Sequence, residues 1–336
     1  MSENGHAATR DAVLDAIRGG ERFVCATHEN PDGDALGSLV GMHRVLRALG
    51  KDSVMFVSAD EFPLPYEYRF IDLEGMVSAP PEDIDDRMVV FLDCGNIDRN
   101  PADALKSAGR GIVNVDHHHD NTRFGTVNHV VASASCTAEI VWDLMNALDM
   151  NPSLEMAEAL YVGLITDTGQ FMYENTGPCA HVMAAELIRA GVDVHAIYRR
   201  LYEGVPQAKL DLLARGLQHV ERHEDGVLTV TRLTRGDYEE LGAEEAYSEG
   251  VVDHLRALDG TAVAGLVREK LGAGPAGVYK VSLRAADDRV DVSAIAREQG
   301  GGGHRRAAGF TTEMDWEALV AFLRHAVAEA LAPVHG

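Results

Sequence analysis

Nowhere does the chain run to the roughly 18 apolar residues that a membrane-crossing helix needs. Its first residues, MSENGHAATRDAV, lack a basic segment followed by an apolar one. The expectation is a soluble, cytoplasmic protein without membrane contact. Cysteines number four, Cys25, Cys94, Cys136 and Cys179, far apart and with no CxxC pair. That spacing argues against a disulfide framework or a thiolate zinc site and leaves free thiols in a reducing compartment. Basic residues are scarce as well: 30 Lys and Arg stand against 53 Asp and Glu, a net charge of -23. A long nucleic-acid duplex is therefore repelled by the averaged field. Short or single nucleotides stay open, because metals or a local arginine cluster reverse the sign at one place; salt adaptation is another source of such acidity. Internal repeats, low-complexity tracts and interleaved basic and aromatic residues that would grip a long strand are also missing.

What is present is ordinary globular composition, 46% hydrophobic and 25% charged over 336 residues, enough for two domains with separate cores. The first half alternates apolar runs with a helical pattern. ERFVCATH (21–28), DSVMFVSA (52–59), RMVVFLDC (87–94) and GIVNVDHH (111–118) read as buried strands, and 35–50 as an amphipathic helix closed by Gly50. This is the βαβ rhythm of a parallel sheet in an α/β fold. After residue 130 the pattern turns helical, with Asn151 and Pro152 as cap and first residue of a helix reaching Gly169. Helices ending at Gly191 and Gly204 follow, and Pro206 opens another. Beyond them come a hairpin at Asp225-Gly226, a helix over 244–258, strands in TAVAGLVREK, GVYKVSLRA and AAGFTTE, and a last helix over 316–331. The expected organisation is a parallel-sheet domain over 1–190, a helical connector over 191–220 with a hinge between Gly191 and Pro206, and a smaller α+β domain over 221–336.

In open parallel sheets ligands bind beyond the carboxyl ends of the strands, and four strand or helix ends carry acids or histidines. THENPDGDALGS holds His28, Asp32 and Asp34, FLDCGN holds Asp93, VDHHHDN holds three adjacent histidines, and GLITDTGQF holds Asp167. A lone Asp after a strand is commonly a turn former or helix cap, and capping is the rival use of Asp34. Two imidazoles and four carboxylates in one crevice, however, are unfavourable unless cations neutralise them. Two divalent metals do so, and mixed His and Asp ligation suits Mn²⁺ better than Ca²⁺. Such a pair activates a bridging water and clamps the oxygens of an in-line phosphoryl displacement. The chemistry expected is metal-assisted phosphoester hydrolysis by hydroxide attack.

These four segments, in this order, resemble the motifs of the DHH phosphoesterase family, whose three letters are Asp116, His117 and His118 here. QGGGGHRRAAGF (299–310), preceded by VSLRAADDRVDVSAIARE, is similar to the family's DHH-associated C-terminal domain. The resemblance covers nearly the whole chain and leans to the branch that cleaves nanoRNA, linear dinucleotides such as pApA, cyclic di-AMP and 3'-phosphoadenosine 5'-phosphate (pAp). It implies two Mn²⁺ ions, with His28 and Asp32 on one, Asp34, His117 and Asp167 on the other, and Asp93 bridging. It further implies that Asp116 orients an imidazole and that His118 faces the phosphate, stabilising charge or assisting the leaving group. Along a strand successive side chains point to opposite faces, so neighbouring histidines cannot share one task unless the strand has ended. His119 reads as a bystander.

The run GGGGHRRAAG is too rich in glycine for a strand or helix interior and allows backbone amides to approach an anion. By the resemblance, Gly302, Gly303 and His304 reach the substrate phosphate and Arg284 takes a terminal phosphate in a bidentate fork. Arg305 joins them, with Arg305 or Arg306 facing solvent as the alternative; Arg99 contacts substrate or forms a surface salt bridge. Metals on one domain and phosphate recognition on the other imply a cleft that closes. Asn30 and Ser38 stand beside the first motif. A single-strand exonuclease and a non-catalytic nucleotide-binding regulator are the competing functions, and a homodimer follows from family analogy alone.

Overall fold

The computed structural model of the protein describes residues 3–107, 110–271 and 277–332. Two compact units, Met1–Glu203 and Gly204–Gly336, divide the chain, each around its own apolar core. The first holds strands β1 (Arg22–Ala26), β2 (Asp52–Phe56), β3 (Met76–Val77), β4 (Met88–Leu92), β5 (Ile112–Asp116) and β6 (Val127–Val130). They form one parallel sheet in the order β3-β2-β1-β4-β5-β6. Chain direction around the sheet reverses between β1 and β4, and in doubly wound sheets this switch is where ligands bind. Both faces are covered, which is why the strands read as continuous apolar runs. Phe23, Cys25, Val90, Leu92, Val113 and Val115 enter the larger core, and Val24, Ala26, Val89, Phe91 and Ile112 the smaller one opposite.

Helices α1 (Glu3–Gly19), α2 (Gly33–Ala48), α3 (Asp103–Lys106), α4 (Thr137–Ala147), α5 (Leu154–Asp167), α6 (Pro178–Arg189) and α7 (Val194–Tyr202) complete this unit. Helix α1 was not expected, although Val13, Leu14 and Ile17 mark its buried stripe. Helix α5 is capped two residues later than expected, at Ser153, whose side chain accepts from the Met156 amide at 3.3 Å. Helices α2 and α5 pack on a glycine seam. A Cβ on Gly37 would stand 2.4 Å from the Ala159 carbonyl and 2.7 Å from the Gly163 amide, and one on Gly163 would stand 2.9 Å from Asp34. Only two hydrogens at the contact bring Asp34 on α2 close to the neighbouring helices.

The second unit opens with α8 (Gln207–Gln218) and holds β7 (Glu221–His223), β8 (Leu228–Leu233), α9 (Arg235–Leu241), α10 (Val251–Arg256), β9 (Val263–Glu269), β10 (Tyr279–Ala285), α11 (Val292–Glu298), β11 (Gly302–His304), β12 (Ala307–Thr312) and α12 (Trp316–Leu331). Its sheet runs β11-β12-β10-β9-β8-β7, antiparallel except for the β8–β9 pair. The hairpin between β7 and β8 turns at Asp225 and Gly226, both at positive φ. The helix expected over 244–258 is broken, because Gly250 takes a left-handed conformation (φ 87°) and α10 begins after it. The glycine run is a strand in part, against expectation: Gly302–His304 pairs with Ala307–Gly309 at the sheet edge. Glycine is required there by contact, since a Cβ on Gly303 (φ 135°) would stand 2.6 Å from the Ala307 carbonyl.

Candidate active site

At the carboxyl end of β4 the chain places Asp93 in the left-handed region (φ 54°), a strained conformation of the kind that gathers at functional sites. Its buried carboxylate looks both ways. Oδ2 lies 3.6 Å from His28 Nε2, whereas Oδ1 lies 3.6 Å from His117 Nε2 and 3.6 Å from His118 Nδ1. Nε2 of His117 also lies 4.0 Å from Asp34 and 3.7 Å from Asp167. Three groupings therefore present ligand atoms within 4.8 Å of one another: His28, Asp32 and Asp93; Asp34, His117 and Asp167; and Asp93, His117 and His118. Every residue that the sequence nominated as a metal ligand belongs to one of them.

Each member is held by a named partner. The His28 Nδ1 meets the Glu29 carbonyl at 2.6 Å, which leaves Nε2 for the cluster. The cap of α2 is Asp32, not Asp34: its Oδ1 accepts from the Asp34 and Ala35 amides at 3.1 and 3.0 Å. Asp34 is buried inside the first turn, and its two oxygens accept from the Thr137 and Ala138 amides at 2.6 and 2.9 Å. The positive end of α4 thus rests on an acid. Asn175 donates to the carbonyl and to the carboxylate of Asp167, both at 3.1 Å. Asp116 is fully buried and accepts from His118 Nδ1 at 2.7 Å, from the His117 amide at 2.8 Å and from Asn121 at 2.6 Å. Asp116 consequently orients His118 as a carboxylate orients imidazole in acid–base catalysis.

The electrostatics follow from burial and crowding. Burial, with Asp93, Asp167 and Asp32 nearby, raises Asp34 well above the usual carboxylate range. Burial likewise pushes Asp167 up to about 7, Asp93 and Asp32 adding to it and His117 opposing. Against its own burial, Asp93 is held low by His28, His118 and His117. His118 is pushed up to about 9 because Asp116 and Asp93 outweigh the effect of its burial. Carboxylates driven toward protonation by one another are sites where a multivalent cation relieves the repulsion. Oxygen and imidazole donors in these numbers fit a divalent transition metal.

Other nominated residues stand farther out. Arg99 is exposed on a short turn after Asp93, and its guanidinium makes no ion pair among the described residues. Asn30 is exposed, with its amide on Glu61, and the Ser38 hydroxyl turns to its own helix at the Ala35 carbonyl. His119 is exposed beside the cluster. In the second unit the register places His304, Ala307 and Arg284 in one row across β11, β12 and β10, hence on one sheet face. Arg284 lies 3.7 Å from Asp253. Arg305, exposed, donates to the Asp288 carbonyl at 2.6 Å, and Arg306 pairs with the Asp288 carboxylate. Thr137, Asn121 and Asn175 were not foreseen. The first turn of α4 as an anion seat was the one available signal.

An α/β unit with an acid and histidine centre at its topological switch, joined to a second sheet unit, defines the class of protein. Residues 22–164 match the DHH family, N-terminal domain, and residues 227–332 the DHHA1 domain. The chain belongs to the DHH family and is a phosphoesterase. It is 35% identical over 300 residues to the bifunctional oligoribonuclease and PAP phosphatase NrnA of Thermus thermophilus, covering 89% of this chain and 86% of that one. The cyclic-di-AMP phosphodiesterase GdpP of Geobacillus thermodenitrificans is 26% identical, over 87% of this chain and 45% of that one. An exopolyphosphatase-related protein from Bacteroides fragilis shares the fold, with a TM-score of 0.86, 23% identity and 96% of each chain covered. Among the described residues no helix is long and apolar enough to cross a membrane.

Proposed function

We propose that the protein hydrolyses phosphoesters of small nucleotides, short oligoribonucleotides and pAp foremost and dinucleotides of the pApA or cyclic di-AMP kind next, with two divalent cations, Mn²⁺ in the first place. The observation that carries this reading is the two-sided Asp93 carboxylate, one oxygen toward His28 and the other toward His117. His28 and Asp32 hold one cation, Asp34, His117 and Asp167 the other, and Asp93 serves both. Cations there supply charge neutralisation, polarise a phosphoryl oxygen and lower the pKa of a nearby water. His118, fixed through Nδ1 by Asp116, keeps a proton at Nε2 and delivers it to the leaving oxygen as the P–O bond breaks. His304 and Arg284, in one row of the second sheet, take a further substrate phosphate with the Gly302 and Gly303 backbone, and Arg305 and Arg99 add positive charge. The names of the NrnA and GdpP relatives support the substrate class.

The test is release of AMP or phosphate from pAp, pApA, a short oligoribonucleotide and cyclic di-AMP with Mn²⁺, for wild type and Asp93→Ala. Wild type should turn over at least pAp and the oligoribonucleotide, and Asp93→Ala should lose about 10³-fold or more in kcat. Mn²⁺-dependent turnover retained in Asp93→Ala would sink the shared-ligand role. Tight binding of all four compounds without turnover would favour a nucleotide-binding regulator.

A further inference from the structure

Asp93 needs more than position to face two sides, because rotation about the last bond of an aspartate is broad and soft. The strained backbone at φ 54° fixes where the side chain starts, and the bond from the Asp93 amide to the Val115 carbonyl at 3.2 Å fixes the turn. Neither sets the plane of the carboxylate. Among the described residues one side-chain donor other than an imidazole does: the hydroxyl of Thr137, fully buried, donates to Asp93 Oδ1 at 2.9 Å. The same residue's amide holds Asp34 at 2.6 Å. Thr137 therefore ties an acid of α2 and an acid of β4 to one rigid helix start.

We infer that Thr137 is a positioning residue which sets the plane of the Asp93 carboxylate and, with it, the separation of two cations bound on its two sides. This rests on the two-cation reading proposed above. The backbone amide survives any substitution, so removal of the hydroxyl alone releases Asp93 while Asp34 stays seated. Thr137→Val keeps the branched shape and removes the donor; Thr137→Ser keeps the donor and removes a methyl.

The experiment measures Mn²⁺ stoichiometry by calorimetry, the exchange-coupled Mn²⁺ spectrum by electron paramagnetic resonance, and kcat and KM on pAp, for wild type and both variants. Thr137→Val should still bind two Mn²⁺ per chain, show an altered coupling, and lose about 10- to 100-fold in kcat, the range for groups that orient metal ligands. Its KM should stay within about twofold, as for a loss felt in the transition state. Thr137→Ser should restore both spectrum and kcat. A wild-type spectrum and kcat in Thr137→Val would overturn the inference. So would Val and Ser variants that lose Mn²⁺, thermal midpoint and KM alike, since that pattern is a folding defect. Fewer than two Mn²⁺ on wild type would instead overturn the two-cation reading beneath it.

Discussion

Three adjacent histidines are told apart by their partners rather than by the pleat. Strand β5 ends at Asp116, so the alternation of faces no longer separates His117 from His118, and their rings lie edge to face with centroids 4.9 Å apart. His117 confronts three carboxylates, His118 is backed by Asp116, and His119 is exposed. Replacing each by alanine should give three different outcomes. His117→Ala should lose Mn²⁺ and activity together. His118→Ala should keep Mn²⁺ and lose about 10²- to 10⁴-fold in kcat, the range for a missing general acid. His119→Ala should lose little of either. Mn²⁺ titration beside steady-state kinetics reads all three, and equal losses would mean that the tract acts as one cluster. The candidate ligands were legible in the sequence because each sits near where an apolar run stops. Thr137 was not, because its bonds to Asp93 and Asp34 join residues 44 and 103 positions apart and leave no local pattern.

Most elements long enough to bury a stripe announced themselves, α1 being the exception, and those that depend on a neighbour did not. Strand β3, two residues long, exists through its pairing with β2, and the glycine strand β11 exists through its pairing with β12; neither is long enough to show a pattern of its own. Helices α9 and α11 are also short, at seven residues each. Between elements, the contact of α2 with β2 carries a pH dependence. His43 of α2 is buried, with Nδ1 3.0 Å from the Ser53 hydroxyl on β2. Burial, with Arg44 and Arg47 assisting, lowers it from 6.5 to about 4. Between those values the unfolded chain binds a proton that the folded one refuses, so stability rises with pH across that window. The contribution is complete above about pH 6.5 and is lost as pH falls toward 4, by about 1–3 kcal/mol. Urea unfolding of His43→Gln from pH 7 to 4 should be flatter than that of wild type. An unchanged slope would show that His43 does not titrate with folding.

Over the whole molecule, a net charge of -23 and four mutually repelling site carboxylates weigh against the folded state, and bound cations act chiefly on the second of these. The nominated metal ligands all lie within Met1–Glu203, so cation binding should stabilise that unit selectively. The chain's two tryptophans make this measurable. Trp142 packs in the first core and donates to Glu186 at 3.1 Å; Trp316 belongs to the second unit and donates to Glu221 at 3.2 Å. In Trp316→Phe the fluorescence reports the first unit, and in Trp142→Phe the second. Mn²⁺ at about 100 times its dissociation constant adds about 2.7 kcal/mol to whatever binds it. That corresponds to a rise of roughly 5–10 °C in the midpoint of a unit this size. Thermal melts with Mn²⁺ and with EDTA should show the rise at Trp142 and little change at Trp316. A matching rise at both would deny the first unit its separate response, and a rise at Trp316 alone would move the cations to the wrong half of the chain.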